Sequence, residues 1–305
     1  MDLRELTDDD VDAVVGLATV CEIAETGETD PELVEWIVSA LGKPHVPGFG
    51  VDDAHGLAAF GFVECEQGHT GVEAEVRVRP GLDHEIAVPL LTAVRSAAAD
   101  FDPAKPVHMF ANSDATAYRR WLEVQGAKEI RHFWRMAIDL DEKSPAVPPL
   151  PDGAVVRAAR DDEKDLRAIF DVVDTSFAEH FGHTDERTYE RWLETWQSRR
   201  GYDLSLWWVV EVDGAPAAAL LGLTFTDDDG VTTGHVATLG TLKEHRGRGI
   251  GSYLLRSAFR EFHDRGMRKV TLGVDSENIT GAVRLYESVG MSAVIDWPLY
   301  EFPPF

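Results

Sequence analysis

The feature that most constrains this chain is an internal duplication in its sequence. Three pairs of segments match in the same order along the chain: residues 3–11 with 156–164, residues 50–61 with 210–220, and residues 111–126 with 275–290. The first pair is typical of a short strand followed by an acidic helix start, and the second pair is typical of a hairpin. A repeat of about 150 residues is much longer than the unit of a solenoid, so it predicts two domains of one fold.

A proline-rich segment separates the two copies. Residues 141–153 contain four prolines and little periodicity, which predicts an extended linker because proline fixes φ and lacks an amide donor. We therefore predict one domain over residues 1–140 and a second over residues 154–305. Each copy reads as a strand, one or two helices, several strands, and then helix, strand, helix and strand. In the second copy the clearest predicted strands cover residues 207–212, 217–225, 235–242, 269–274 and 292–299, and the clearest predicted helices cover residues 163–176, 186–197, 250–265 and 279–288. This order predicts an α/β fold in which a mixed, mostly antiparallel and twisted sheet carries helices on both faces.

Composition and charge exclude several classes of protein. The 305 residues carry a formal net charge of −25, which argues against nucleic acid or an anionic membrane as a partner, since both bind basic surfaces. Two cysteines, Cys21 and Cys65, are too few for a disulfide framework, and we expect core thiols that hold no metal. The N-terminus does not resemble a signal peptide, and no apolar run reaches the roughly 18 residues of a membrane span. We expect a cytoplasmic protein that is either a monomer or a homodimer.

The strongest chemical signal lies where an apolar strand over residues 235–242 gives way to an amphipathic helix. The connecting turn is Arg246-Gly-Arg-Gly-Ile-Gly251. Its glycines allow backbone N–H groups to approach a ligand closely, and the positive end of the helix dipole favours an anion. The turn therefore predicts a pyrophosphate site, although a tight connection between a strand and a helix would need similar glycines.

Local charge supports an anionic ligand at this turn. Residues 243–269 contain eight basic and three acidic side chains within a strongly acidic protein. Such a basic region attracts polyphosphate, and a solvated helix face is the alternative explanation. Two other phosphate-binding motifs do not fit. A dinucleotide fold places its glycines after the first strand, and a nucleotide triphosphatase loop needs Gly-Lys followed by Ser or Thr.

Two motifs resemble those of the GNAT acyltransferase superfamily, and the resemblance covers essentially the whole second copy. The acyl-CoA signature Arg/Gln-x-x-Gly-x-Gly/Ala is matched by Arg246, Gly249 and Gly251. The later motif Asn-x-x-Ala-x-x-Leu-Tyr-x-x-x-Gly-Phe is matched with Asn one position early and Met in place of Phe, at Asn278, Ala282, Leu285, Tyr286, Gly290 and Met291. The tandem arrangement is similar to that of two-domain acetyltransferases of the mycothiol synthase type. No pattern in the sequence identifies the acceptor.

The resemblance implies that acetyl-CoA is bound between two splayed central strands. The strand end, the glycine turn and the later motif would hold it, and the implied positions are Leu239, Gly240, Thr241, Arg246, Gly247, Arg248, Gly249, Ile250, Gly251, Ser252, Asn278 and Ala282. The acceptor, an amine of a small molecule, would attack the thioester directly. The resemblance therefore implies neither a metal nor a covalent enzyme intermediate.

Proton transfer in such a reaction needs an acid for the departing thiolate. Tyr286 is the candidate, because its phenol, with a reference pKa of about 10, is close to a thiol at about 8.5. A tyrosine that only packs in the core is the alternative. In the first copy the matching position is occupied by Leu122.

The identity of the base stays open in the sequence. His235 is one candidate, directly or through water, because residues 235, 237, 239 and 241 share a face if the strand has no bulge. Three residues in the region that shapes the acceptor site of GNAT proteins are rival bases and substrate contacts: Glu179, His180 and His183. The terminal carboxylate of Phe305 is a further alternative.

The first copy lacks the residues that the resemblance requires for acyl-CoA. Asp83 stands at the place of Arg246, and Glu85 faces the place of Arg248. Ile86 and Val88 replace two of the glycines. Carboxylates and bulky side chains beside a phosphate would oppose binding. We predict a non-catalytic domain that supports the second copy.

Two other classes of function fit parts of the sequence. One is a regulatory module that binds acyl-CoA without turnover. The other is a structural or interaction protein built from two degenerate copies of the fold. Thermal stabilisation by acetyl-CoA, followed by measurement of thiol release with a panel of amines, distinguishes them from an enzyme.

Overall fold

The protein is described by a computed structural model that covers residues 3–27, 31–43, 45–65, 69–140, 145–184, 186–227 and 230–304. The chain forms two compact units, which we call unit 1 and unit 2. Unit 1 contains Met1–Phe133 together with Ile295–Phe305, and unit 2 contains Trp134–Val294. A C-terminal segment therefore belongs to the N-terminal unit. The sequence division at residues 141–153 concerns the two copies, and it stays a prediction.

Unit 1 is an α/β layer with helices packed on a mixed sheet. Its elements are β1 (Leu3–Glu5), α1 (Val11–Thr26), α2 (Pro31–Leu41), β2 (Gly48–Asp53), β3 (Gly56–Glu64), β4 (Val72–Val78), α3 (Val88–Phe101), β5 (Val107–Phe110), α4 (Thr116–Val124), the start of β6 (Lys128–Asp139) and the end of β12 (Ser292–Phe302). Strands β1 to β4 are antiparallel neighbours, and β4 pairs with β5 in parallel. The end of β12 completes this sheet, since Leu299–Phe302 pairs antiparallel with Val107–Phe110.

Unit 2 repeats the same order of elements. They are the end of β6, β7 (Ala154–Ala158), α5 (Glu163–Phe177), α6 (Tyr189–Ser198), β8 (Trp207–Val212), β9 (Ala215–Thr226), β10 (Thr232–Thr241), α7 (Ile250–Asp264), β11 (Lys269–Asp275) and α8 (Ala282–Ser288). Its strands lie in the order β6, β11, β10, β9, β8, β7. Strands β10 and β11 pair in parallel, while β7 to β10 are antiparallel neighbours. The predicted mixed, mostly antiparallel α/β fold is confirmed.

The duplication is visible in the way each unit fixes its first strand. In unit 1 the Arg4 guanidinium binds Asp10 at the start of α1 and Asp52 on β2. In unit 2 Arg157 binds Asp165 in the first turn of α5 and Glu211 on β8. These equivalent pairings join strand, helix and neighbouring strand in both copies.

The core of unit 2 lies on both faces of its sheet. On one face, α5 packs against β10, and a Cβ at Gly240 would lie 3.0 Å from the Ser176 hydroxyl of α5. On the other face lies α7, and a Cβ at Gly234 would overlap the ring of Phe262. Because Gly234 and Gly240 face different helices, they mark the two faces of β10.

The linker and cysteine predictions can be followed in the described residues. Residues 145–150 form neither helix nor strand, as expected, while residues 141–144 lie outside the described part of the chain. Both cysteines are free thiols. Cys21 is buried and donates to the Val78 carbonyl at 3.3 Å, and burial raises the pKa of its thiol to about 12. Cys65 is only half-buried. Among the described residues, no helix has the length and apolar character needed to cross a bilayer.

Candidate active site

The central feature of unit 2 is a gap between its two parallel strands. The pairing of β10 with β11 is restricted to Gly234 with Val270 and His235 with Thr271. Beyond these pairs β10 runs on to Thr241 and β11 to Asp275. From residue 236 onward, one edge of β10 therefore faces a widening gap, and its backbone groups there are directed at whatever occupies the gap.

A β-bulge in β10 sets which side chains face this gap. The register with β9 shifts between Val236 and Thr238, so Ala237 is the extra residue. Gly234 faces α7, and its neighbour His235 therefore faces away from α7. Leu239 comes after the bulge and lies on the α7 side, where its Cδ2 is 3.9 Å from a Cβ placed on Gly251.

His235 does not share a face with Leu239 and Thr241, because the bulge breaks the condition on which that expectation depended. The expectation assumed an unbroken strand, and one extra residue moves every later side chain to the opposite face. His235 is only 3% exposed. Its Nδ1 lies 2.9 Å from the Thr271 hydroxyl, and its ring packs edge-on against Phe225. His235 thus lies at the closed end of the gap.

The glycine turn before α7 has an open, left-handed backbone. Gly247 and Gly249 have φ values of 73° and 84°, which favour glycine over any other residue. A Cβ at either position would meet no atom within 4 Å, so the turn borders open space. The first bond of the helix runs from the Tyr253 amide to the Gly249 carbonyl. The amides of residues 250–252 precede it and have no carbonyl within the helix.

The third glycine has a different reason to be small. A Cβ at Gly251 would lie 2.9 Å from Cδ2 of Leu285 on α8. Gly251 therefore lets the start of α7 approach α8 closely, and this contact places the turn beside the later motif. The turn has the open space and the directed amides that a pyrophosphate needs, so the residues present fit acyl-CoA.

The two arginines of the turn contact groups of the protein itself. Arg246 donates from Nε to the Thr241 carbonyl at 3.0 Å and from Nη2 to the Ser176 carbonyl at 3.1 Å. It therefore ties the end of β10 to the end of α5. Arg248 contacts Nδ1 of His245 at 3.2 Å and is exposed. The role of Arg246 at two carbonyl groups could not be seen in the sequence.

Tyr286 lies on α8 and is 8% exposed. Burial raises the pKa of Tyr286 to about 12, so its phenol is protonated at neutral pH. No charged group contributes to this shift. The turn before α8 is fixed by Asn278, whose side-chain oxygen accepts from the Thr280 amide at 2.8 Å. Ala282 starts the helix and packs on the core of unit 2.

The residues expected on the acceptor side lie at and beyond the end of α5. Glu179 is exposed and forms an ion pair with Lys243 at 3.0 Å. His180 is half-buried and packs on Phe177, with ring centroids 4.3 Å apart. Burial lowers the pKa of His180, and the negative charge of Asp275 opposes that shift. The influence of Asp275, the last residue of β11, is a feature that the sequence did not indicate.

His183 is held differently from His180. Its side chain is 7% exposed, and Nε2 lies 3.8 Å from the Asp174 carboxylate. The histidine is therefore packed beside α5. Phe305 and its terminal carboxylate lie outside the described residues.

In unit 1 the two parallel strands also separate after a short pairing, but the residues along them differ. The pairing of β4 with β5 is restricted to Val72 with Val107 and Glu73 with His108. Farther along β4, the buried Arg77 is paired with Glu75 and with Glu25 of α1. The position matching the glycine turn is a short 3-10 helix over His84–Ala87.

Two amides of that short helix already have partners. The Asp83 side chain accepts from the Glu85 amide at 3.0 Å, and the Asp83 carbonyl accepts from the Ile86 amide at 3.2 Å. These contacts use the donors that a phosphate would need. The loss of acyl-CoA binding in this copy stays a prediction.

Comparison with known proteins places the chain in one family. Residues 166–291 match the acetyltransferase (GNAT) family. The mycothiol acetyltransferase of Thermobispora bispora is 30% identical over 306 residues, which cover 96% of this chain and 95% of that protein. The mycothiol acetyltransferase of Actinosynnema mirum is 32% identical over 72% of this chain and 71% of its own length. The chain belongs to the GNAT acetyltransferase family, and it is an acyltransferase, as the sequence motifs predicted.

Solved structures agree with a tandem arrangement. A GCN5-related N-acetyltransferase from Sphaerobacter thermophilus aligns with a TM-score of 0.79 and 26% identity, over 99% of this chain and 95% of that one. A tandem GNAT protein from the clavulanic acid biosynthesis pathway aligns with a TM-score of 0.75 over 100% of this chain and 98% of that one. Its identity is 17%, so this second likeness concerns the fold alone.

Proposed function

We propose that unit 2 transfers the acetyl group of acetyl-CoA to a primary amine of a small molecule. The observation that carries the proposal is the combination of the strand gap, the open glycine turn and Tyr286 in one unit. Acetyl-CoA supplies the acyl group as an activated thioester. The residues of this chain contribute binding, orientation and proton transfer.

The backbone of the gap and the turn would hold the donor. Backbone groups of Leu239, Gly240 and Thr241 lie on the strand that borders the gap. The amides of residues 250–252 are available for a pyrophosphate at the positive end of α7. Arg246 acts here as a positioning residue, because its bonds to two carbonyls keep β10, the turn and α5 in register.

Tyr286 is the general acid of the proposal. A buried phenol with a pKa near 12 keeps its proton at every pH at which the enzyme would be assayed. It can therefore donate to a departing thiolate, which has a reference pKa of about 8.5.

His180 is the base that the geometry favours over His235. His180 lies past the end of α5, whose Ser176 is joined to the turn through Arg246. Burial lowers the pKa of His180, so a neutral imidazole is present at neutral pH and can accept the ammonium proton of the acceptor. His235 is buried at the closed end of the gap, with one ring nitrogen at Thr271.

The test of the base compares two matched variants, His180→Gln and His235→Gln. We expect His180→Gln to lower kcat/KM by roughly 10²-fold and to remove the rise of rate with pH that a neutral imidazole causes. His235→Gln should keep that rise. The opposite pattern would assign the base to His235.

The test of the function itself is an amine panel monitored by release of the CoA thiol. The relatives are named mycothiol acetyltransferases, so amine precursors of mycothiol belong in the panel beside simple amines and amino sugars. Release that depends on an amine supports the proposal. Binding of acetyl-CoA without release for any amine would indicate a regulatory module, and absence of binding would indicate a scaffold.

A further inference from the structure

The connection between α5 and α6 contains the residues expected on the acceptor side. We call its described residues, 178–184 and 186–188, the acceptor loop. Its first turn follows directly from α5, since the His180 amide donates to the Phe177 carbonyl at 2.8 Å and the His180 ring packs on Phe177. The His183 amide then donates to the His180 carbonyl at 3.3 Å. The position of His180 therefore depends on how the rest of the loop is held against α5.

Asp174, in the last turn of α5, contacts two separate parts of the acceptor loop. Its Oδ1 lies 3.8 Å from Nε2 of His183, in the middle of the loop, and 3.8 Å from Nη1 of Arg187, just before α6. Both distances are too long for a hydrogen bond, and they are short enough for an ion pair. The Asp174 side chain is 32% exposed as a whole, but Oδ1 is buried and has no hydrogen-bond partner among the described residues.

The burial of Oδ1 makes the charge of Asp174 important. A carboxylate oxygen that is out of water and accepts no hydrogen bond is costly unless a positive charge lies near it. The Arg187 guanidinium supplies a permanent positive charge, because it keeps its proton at every ordinary pH. An amide at position 174 would have nearly the shape of the carboxylate but would not attract Arg187. The negative charge, more than the size of the side chain, therefore holds the loop.

Asp174 lies on a different side of α5 from the strand gap. The Ser176 side chain faces Gly240 of β10, and residues two positions apart on a helix point about 200° apart. Asp174 is therefore directed away from β10 and from the reacting groups. Asp174 and Phe177 are three positions apart, so they are neighbours on the helix surface. The ion pairs of Asp174 thus lie beside the ring on which His180 packs.

We propose that Asp174 is a positioning residue for acetyl transfer, which holds the acceptor loop through His183 and Arg187 and so places His180 at the acceptor. The proposal rests on the proposed acetyl transfer with His180 as its base. Asp174 touches neither substrate. Its loss therefore acts on the use of the amine, while the glycine turn and the strand edge that would hold acetyl-CoA stay as they are.

Steady-state kinetics on the full chain, with an amine that it acetylates, compares Asp174→Asn with Asp171→Asn. Asp171 is an exposed residue of the same helix, so it is the matched control for the loss of one negative charge. We expect Asp174→Asn to lower kcat/KM for the amine by about tenfold to a hundredfold, with the KM for acetyl-CoA changed by less than about twofold. Asp174→Glu keeps the charge and should recover most of the loss. Asp171→Asn should stay within about twofold of wild type.

Digestion with trypsin measures the hold on the loop without any turnover. Trypsin cleaves after Arg187, and we expect this cleavage to be about tenfold faster in Asp174→Asn than in wild type or Asp171→Asn, because the loop opens more often. Arg187→Gln removes the same ion pair from the loop side and should reproduce the kinetic loss, which keeps the test valid if Asp174→Asn does not fold. The double variant should lose little more than either single variant.

Three results would overturn the proposal while acetyl transfer by the wild type stands. Unchanged amine kinetics in Asp174→Asn would mean that His180 does not depend on this contact. Equal losses in Asp174→Asn and Asp171→Asn would mean that only the net charge matters. A rise in the KM for acetyl-CoA as large as the loss with the amine would mean a general disturbance of unit 2. Failure of the proposed function has a different signature, since then the wild type acetylates no amine at all.

Discussion

Replacement of Tyr286 by phenylalanine isolates the chemistry of one hydroxyl. The side chain is 8% exposed, and its hydroxyl has no hydrogen bond within the described residues. The substitution therefore removes no hydrogen bond within the described residues, and we expect the free energy of unfolding to change by less than about 1 kcal/mol. If Tyr286 protonates the thiolate, kcat should fall by roughly 10²–10⁴-fold. At about 1.36 kcal/mol per tenfold, this loss is about 2.7–5.4 kcal/mol of the barrier.

The assay measures thiol release at saturating acetyl-CoA with an amine that the enzyme acetylates. Acetyl-CoA affinity should change by less than about tenfold, because the turn and the strand edge supply most of the binding. A fall in kcat with little change in KM marks an interaction made mainly in the transition state. Tyr118→Phe is the matched control, since Tyr118 is a buried tyrosine of unit 1 whose hydroxyl also has no hydrogen-bond partner among the described residues. Near wild-type kcat for Tyr286→Phe, with chemistry shown to be rate-limiting, would refute the assignment.

Three further predictions concern the glycine turn, the ion pairs of His132 and the end of β12, which belongs to unit 1. Gly249→Glu should abolish acetyl-CoA binding in calorimetry, because φ is 84° at this position and the new side chain enters the open turn. The control is Ile86→Glu, which should bind acetyl-CoA normally if it folds. A measured stoichiometry of two CoA sites per chain would contradict this prediction. His132 lies between two carboxylates, with Nδ1 at 2.9 Å from Asp296 and Nε2 at 3.1 Å from Glu129, and these bonds raise its pKa. Protonated His132 should contribute its full stabilisation below about pH 6.5 and lose it as the pH rises through its raised pKa. The difference in Tm between wild type and His132→Gln should therefore shrink from pH 5.5 to pH 9. A difference in Tm that is constant with pH would exclude this contribution. A fragment of residues 1–140 should show no cooperative melting until a peptide of residues 295–304 is added, and a cooperative transition without the peptide would argue against the role of β12.

The sequence predicted local structure well where side chains decide it. Strand β8 was predicted over Trp207–Val212 and begins and ends there. Helix α6 was predicted from residue 186 but starts at Tyr189, because the Thr188 side chain caps it by accepting from the Arg191 amide. Helix α8 starts three residues later than predicted, because the Asn278 turn and Gly281 at φ 79° precede it.

The parts of the site that sequence could not predict depend on backbone register. The bulge at Ala237 has no distinctive residue, since alanine fits either an even strand or a bulge. The sequence predicts a strand over residues 292–299 but does not identify the sheet that this strand joins. Arg246 matched the family signature, yet the sequence could not show that its donors bind carbonyl groups.

The placement of the end of β12 in unit 1 bears on how the protein is made. Tyr300 and Phe302 are fully buried in the core of the N-terminal unit. A ribosome adds them only after all of unit 2 has been translated, so the half that emerges first cannot fold completely first. The edge of β5 that pairs with β12 has no partner strand while some 185 further residues are synthesised, at roughly 5–20 residues per second. During that delay the nascent chain offers an unpaired edge to other chains, and we expect early termination products to aggregate.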